Sequence, residues 1–315
     1  MSYSLKTPVG FFIFNRPECT FKVFEKIREA KPPQLFIVAD GPRDSRPEEK
    51  ELCMQCRSVI ELIDWPCEVK TKFAEENLGC GPNVSAGYDW IFSQVDEAIF
   101  LEDDTVPDIS FFRYCEELLE KYRFDTRIGA ISGNNFFFPD VFMGKSYSFS
   151  RIPHLWGWAS WKRVWGLYDY NMTRFPDALG AGCFKHLLFN KYYTEDLVRV
   201  FTTLHKSTRK HTWDCQLFFA FLMNNLLTVI PSSNLVKNIG DIGTHFPTTS
   251  IYPFDKHSMI NIPAGEIDFP LKHNKFVMQN TAIEEKSQAY ALNSFNAFSK
   301  NVLLPCKRTW RKLFA

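Results

Sequence analysis

Glu102, Asp103 and Asp104 follow four apolar residues, Ala98 to Leu101, and precede Thr105, Val106 and Pro107. Three carboxylates this close repel one another, and burying them unpaired is costly. A divalent cation would remove that cost and give the run a chemical role, because Mg²⁺ is commonly held by one or two carboxylates, phosphate oxygens and water. On an extended strand Glu102 and Asp104 point one way and Asp103 the other. A turn at Thr105–Pro107 would then swing Asp104 over the strand end as a metal anchor. The competing reading is an acid-rich, solvated turn.

Other residues invite similar pairs of readings. Asp214 begins an apolar run, DCQLFFAFLM, where an acid caps the helix start or favours its dipole. Asp40 precedes Gly41 and Pro42, where its carboxylate can cap the turn or accept from a ligand's N–H or hydroxyl. Arg43 faces phosphates or solvent. Asn77 and Gly79 lie in ENLGCGPNVSAG, a loop whose glycines allow close backbone approach and whose helix start offers N–H groups to an anion. It lacks the lysine and hydroxyl of a Walker loop and is not a dinucleotide fingerprint. His245, in a glycine-rich stretch, can bind a metal when neutral or pair with phosphate when charged. Trp156, Trp158, Trp161 and Trp165 crowd one short span. The last three recur at helical spacing, which would send some to the core and leave others to wall a pocket with His154 and Arg151.

The elements that must carry these residues follow from apolar patterning. Strands are expected at 9–14, 34–40, 67–74, 98–101 and 127–133, and helices after Pro17, after Gly81 and over 108–122. Short apolar strands alternating with helices argue an α/β fold with a mainly parallel sheet covered by helices. Ligands in such folds sit beyond the carboxyl ends of the strands. Asn15 and Arg16, Asp40, and Glu102 to Asp104 all fall there, which points to one shared cleft.

Composition sets outer limits. With 315 residues and 45% hydrophobic content, the chain can bury a large core. Its 31 Phe suggest that some rings line a cleft, although core packing can absorb most of them. A net charge of +1 gives no bulk electrostatic reason for a nucleic-acid partner. Nine scattered cysteines fit a reducing, cytoplasmic setting. Cys53 and Cys56 have a redox or zinc spacing, but they lie on a helix whose apolar face includes Leu52, Val59 and Ile63. No run reaches membrane-span length. The basic, amphipathic end, NVLLPCKRTWRKLFA, is read as a solvated helix or as a weak peripheral contact with an anionic membrane.

AIFLEDDTVPDISFFRYC resembles the acidic metal motif of GT-A fold glycosyltransferases, closest to the N-acetylglucosaminyltransferase I-like and bacterial hemolytic protein HlpA-like group. FNRP, ADGPR, ENLGCG, HLWGWASWKRVW, TWDCQ and NLVKNIGDIGTH extend the likeness over 9 to about 247. The resemblance implies a nucleotide-diphospho-sugar transferase fold. Residues 1–133 would bind the nucleotide sugar, 134–280 would form the acceptor side of the same fold, and 281–315 would be a helical tail. Asn15, Arg16, Asp40, Arg43, Asn77, Gly79, Glu102 and Asp103 would meet the donor nucleotide. His154, Trp156 and Trp158 would border the sugar and acceptor. Asp104 and His245 would hold Mn²⁺ or Mg²⁺, and Asp214 would be the base of an inverting transfer. The likeness favours a UDP-sugar donor and a glycan, lipid-linked or protein-linked hydroxyl acceptor, as in polysaccharide biosynthesis. Asp241 departs from the expected apolar residue of that last loop. Two rivals use the same residues: a sugar-nucleotide-forming nucleotidyltransferase, which usually has a glycine- and lysine-rich loop where this chain has FNRPECT, and a non-catalytic carbohydrate-binding protein.

Overall fold

A computed structural model describes residues 3–135, 140–185, 187–208, 210–240 and 262–289. His245 and the basic segment 301–315 lie outside the described residues. The first half runs β1 (Val9–Ile13), α1 (Pro17–Ala30), β2 (Gln34–Ala39), α2 (Glu49–Arg57), β3 (Glu68–Phe73), α3 (Cys80–Phe92), β4 (Glu97–Glu102), β5 (Thr105–Pro107), α4 (Ser110–Tyr122) and β6 (Ile128–Ser132). The second half adds β7 (Tyr147–Ser150), β8 (Trp158–Trp161), α5 (Lys162–Trp165), α6 (Phe175–Gly180), α7 (Lys191–Lys206), α8 (Asp214–Met223), β9 (Leu227–Pro231) and β10 (Val236–Asn238). Residues 281–289 form a further helix.

The architecture is mixed α/β, with helices against one large sheet of order β3-β2-β1-β4-β8-β6-β9-β7. Strands β3, β2, β1 and β4 are parallel neighbours, and so are β6 and β9, whereas β8 and β7 run antiparallel to theirs. The sheet is therefore more mixed than the alternating pattern predicts. The reversed strands come from the aromatic-rich second half, where hydrophobic periodicity is least regular. That half is not a separate layer, since β7, β8 and β9 complete the same sheet as β1.

Local chemistry explains the regular part. Every residue of β1 is buried, as befits a strand covered on both faces. Pro17 starts α1, where a missing N–H costs nothing, and Thr20, Val23, Phe24 and Ile27 turn one stripe inward. In α4, Phe111, Phe112, Cys115, Leu118 and Leu119 do the same. Cys53 and Cys56 belong to the buried face of α2. Burial pushes their thiols up to about 11 and about 12, so both stay protonated at neutral pH, and Thr20 Oγ1 donates to Cys56 Sγ at 3.4 Å.

The tryptophans correct the expectation of one helix. Trp158 and Trp161 begin and end strand β8, and only Trp165 is helical. A separation of three residues puts two strand side chains on opposite faces, so the shared spacing did not mean a shared stripe. Trp158 is a core residue, only 2% exposed, and its Nε1 donates to the Tyr88 hydroxyl at 3.0 Å. It stacks on Trp213 at 5.9 Å and lies 5.2 Å from Phe100. A second core joins α6, α7 and α8 through Phe175, Phe184, Phe201, Phe218 and Phe219. Thus these clusters place much of the aromatic content in two interiors.

Candidate active site

The parallel strands reverse their order between β1 and β4. β1 is followed on one side by β2 and then β3, and on its other side by β4. The carboxyl ends of β1 and β4 therefore open a crevice of the kind that takes ligands in α/β sheets. Register sets Phe12 opposite Glu102. Arg16, just past β1, meets Asp103 and Asp104, just past β4. Its Nη1 donates to Asp104 Oδ2 at 2.9 Å, and its Nη2 pairs with Asp103 Oδ1. Asp103 Oδ2 also accepts from the Phe14 N–H at 3.2 Å.

One guanidinium reaches both aspartates because strand geometry ends at Glu102. Thr105 Oγ1 accepts from the Glu102 N–H at 2.8 Å and donates back to the Glu102 carbonyl at 2.9 Å, which folds Asp103 and Asp104 into a tight turn. The alternation expected for an extended run does not hold there. Nor is Thr105–Pro107 a plain turn, because it is strand β5, paired antiparallel with β10 in a two-stranded ribbon. The ribbon continues to the acids, where the Ile239 N–H donates to the Asp104 carbonyl at 2.8 Å.

Charge balance is incomplete. Burial and the neighbouring Asp104, Asp103 and Asp214 carboxylates hold Glu102 well above the usual carboxylate range. Burial also raises Asp103, although Arg16 opposes it. Asp104 Oδ1 is buried with no hydrogen-bond partner among the described residues. An orphaned carboxylate oxygen of this kind suits one bond to a hard divalent cation, the rest of whose shell comes from phosphate and water. Among the described residues no three His, Cys, Asp or Glu side chains gather into a self-sufficient metal site.

Asp214 comes from the second half of the chain. It is the first residue of α8, and Trp213 before it is buried between Tyr88 and Trp158. Gly81, in the first turn of α3, lies so close that a Cβ there would sit 2.5 Å from the Lys210 carbonyl and 2.9 Å from that of Thr212. These two contacts hold the start of α8 against the start of α3. Asp214 is exposed; its Oδ1 accepts from the Cys215 N–H at 2.8 Å and from the Thr212 hydroxyl. Its field reaches both Glu102 and Cys80, so the acidic run, α3 and α8 share one locality.

Asp40 organises the loop before α3. Its carboxylate accepts from the N–H groups of Gly41, Leu78 and Gly79 at 2.9, 2.8 and 3.0 Å and from Asn77 Nδ2 at 3.1 Å. Asn77 Nδ2 also donates to the Gly41 carbonyl at 2.9 Å. Gly79 has φ 87° and ψ 157°, a conformation that glycine adopts without strain. Arg43 forks onto Glu49, with Nε 2.9 Å from both carboxylate oxygens, and its guanidinium lies 5.5 Å from the Phe14 ring. Asn15 occupies the bend between Phe14 and Arg16.

The other expected pocket residues are dispersed. His154 and Trp156 lie in the loop entering β8, and the Trp156 N–H donates to Asn134 Oδ1 at 2.8 Å. Burial pushes the His154 imidazole down to about 4, so it is neutral at physiological pH. Trp158 is in the core, as described above. Arg151 grips Glu284, donating through its backbone N–H at 2.7 Å and Nη2 at 3.0 Å. Thr212, Glu49 and Gly240 were not singled out for these roles in the sequence, whereas Gly81 was marked as a loop glycine that permits close backbone approach. The only signal of the first three was proximity in the chain to residues that were. A cleft of about 460 Å³, lined by Tyr3, Arg113, Glu116 and Glu120 among others, lies beside the N-terminal side of β1, away from the acidic run.

No helix among the described residues is long and apolar enough to cross a membrane. No family model matches the chain, and no curated protein is similar to it, so the grouping with N-acetylglucosaminyltransferase I-like enzymes rests on motifs alone. Solved structures that the chain is similar to include UDP-glucose pyrophosphorylase complexed with UDP-glucose, at 10% identity and a TM-score of 0.36, over 72% of this chain and 91% of that one. They also include HddC from Yersinia pseudotuberculosis, at 12% identity and a TM-score of 0.31, over 50% of this chain and 77% of that one. HddC with GMP-PN has 13% identity, the same TM-score of 0.31 and the same 50% and 77% coverage.

Proposed function

We propose that the protein transfers a sugar from a nucleotide-diphosphate donor, with UDP-sugar the first choice, to a hydroxyl acceptor. The carrying observation is that the Asp214 charge acts on Glu102 at the end of β4, beside which Asp104 Oδ1 is buried with no hydrogen-bond partner among the described residues. Asp104 would hold Mn²⁺ or Mg²⁺, which when bound neutralises charge on the departing diphosphate. The first turn of α3 would face the phosphates with N–H groups that have no helical partner. Asp214 would take the acceptor hydroxyl's proton as that oxygen bonds to the sugar's C1 and the C1–phosphate oxygen bond breaks. Asp40, saturated by Asn77, Leu78, Gly79 and Gly41, would shape the nucleotide loop through its backbone contacts.

A second reading, sugar-nucleotide synthesis, is favoured by one detail. Asp214 is hydrogen-bonded as an ordinary helix-start acid, and nucleotidyl transfer needs no protein base because the sugar phosphate is itself the nucleophile. Calorimetry with UDP, GDP, ADP and CMP, each with and without Mn²⁺, tests the shared cleft. Manganese-dependent binding of one diphosphate is expected, and silence throughout would remove both readings. Product analysis then separates them: sugar transfer releases nucleoside diphosphate, whereas synthesis from a nucleoside triphosphate and a sugar 1-phosphate releases pyrophosphate.

A further inference from the structure

We infer that Arg16 is a resident counter-cation: it holds Asp103 and Asp104 when no metal is present and excludes a free divalent ion from them until a diphosphate draws it off. The guanidinium spans both carboxylates, and its side chain is 27% exposed while those of Asp103 and Asp104 are 4% and 13% exposed. Arginine stays protonated at any accessible pH, so the plug cannot titrate away. Gly240 completes the seat. A Cβ there would lie 2.3 Å from Asp104 Oδ2 and 2.9 Å from Arg16 Nη1, so the backbone presses on the ion pair itself. Gly240 is fixed in turn by its N–H donating to Asn238 Oδ1 at 2.8 Å.

The pair leaves Asp104 Oδ1 buried and without a hydrogen-bond partner among the described residues. A cation approaching Oδ1 meets a like charge 2.9 Å from the same carboxylate's other oxygen. That repulsion is substantial in a partly buried site. A diphosphate changes the balance, because it supplies anionic oxygens to both the guanidinium and the metal. Arg16 is thus a positioning residue that acts through Asp103 and Asp104 and makes cation binding depend on the phosphate. Exclusion of a free cation involves metal and protein alone, whereas its release by a diphosphate rests on the reading that this cleft takes a nucleotide diphosphate.

Titration with MnCl₂ alone, followed by calorimetry and by melting temperature, tests it without nucleotide. The wild-type chain is expected to give no saturable binding up to about 1 mM and an unchanged melting temperature. Arg16→Gln is expected to melt lower without metal, to bind Mn²⁺ at least roughly tenfold more tightly than wild type, and to regain melting temperature as Mn²⁺ is added. Adding Asp104→Asn to that variant should abolish the gain. Saturable Mn²⁺ binding to wild type alone would overturn the proposal even if Arg16→Gln fails to fold. So would an Arg16→Gln protein that folds and gains no Mn²⁺ affinity.

Discussion

Arg16 and Arg43 show how single residues answer questions that composition raises. Each was expected near a donor nucleotide, and each forks onto acids of its own chain, Arg16 onto Asp103 and Asp104 and Arg43 onto Glu49. Burial works to raise the Glu49 carboxyl, but the hydrogen bonds from Arg43 outweigh it and hold the group below the ordinary glutamate range. A carboxyl depressed on folding contributes stability that is present above its unfolded value and lost as pH falls through its folded value. Glu49→Gln should therefore cost about 1–3 kcal/mol near neutral pH. The deficit should shrink by about pH 3, below the ordinary glutamate range, as urea midpoints at the two pH values would reveal. For catalysis, Asp214→Asn should keep nucleotide affinity and lose roughly 10²–10⁴ in rate, the usual contribution of a general base. Steady-state kinetics beside calorimetry check this, and normal turnover would end the assignment.

At the scale of elements, the site depends on how the starts of two helices meet. α3 and α8 are far apart in sequence, yet Gly81 packs against the carbonyls of Lys210 and Thr212. Those carbonyls are backbone and cannot swing aside as a flexible side chain would. Gly81→Ala should therefore displace the segment that carries Asp214, at a cost of about 1–3 kcal/mol for overpacking. Its turnover should fall more than its nucleotide affinity, because Asp40 and the loop before α3 remain intact. Equal loss in both, from kinetics and calorimetry on the same preparation, would mean that the contact serves the donor loop instead. The ribbon of β5 and β10 works similarly by setting the backbone of Ile239 and Gly240 on Asp104.

Across the whole molecule, residues 262–289 run back over the body and tie its parts together. The Gly265 N–H donates to the Asn234 carbonyl at 2.7 Å, and the Ile267 N–H to Ser110 Oγ at 3.2 Å. Asn274 Nδ2 donates to the Tyr147 carbonyl at 2.6 Å. Asn280 caps helix 281–289 by accepting from the N–H groups of Ala282 and Ile283 at 3.1 and 3.3 Å. Glu284, fully buried, then receives Arg151, while Gln288 accepts from the Asn190 N–H at 2.8 Å. Breaking a buried pair leaves the partner charge uncompensated, so Glu284→Ala should lose about 3–5 kcal/mol. Urea unfolding measures that loss, and hydrogen exchange should rise first over 281–289 and β7. An unchanged midpoint would mean that solvent already satisfies Arg151.

Sequence patterning by itself determined the parallel half of the sheet. β1, β2, β4 and β6 are short runs with apolar centres, α1 and α4 carry inward stripes, and the acids fall at the strand ends, all of which local periodicity encodes. It also marked Asn15, Arg16, Asp40 and Glu102 to Asp104 as residues that could share a cleft, to which the motif resemblance added Asp214. Only tertiary structure decided how they are used. Trp158 went to the core, because an i, i+3 spacing is ambiguous between a helix stripe and opposite strand faces. Asp40 was absorbed by a loop that begins 37 residues away at Asn77. The counter-charge for Asp103 and Asp104 came from Arg16, a strand neighbour 87 and 88 residues earlier, where a cation alone had been expected. Pairings of that range depend on strand order, which no local pattern contains.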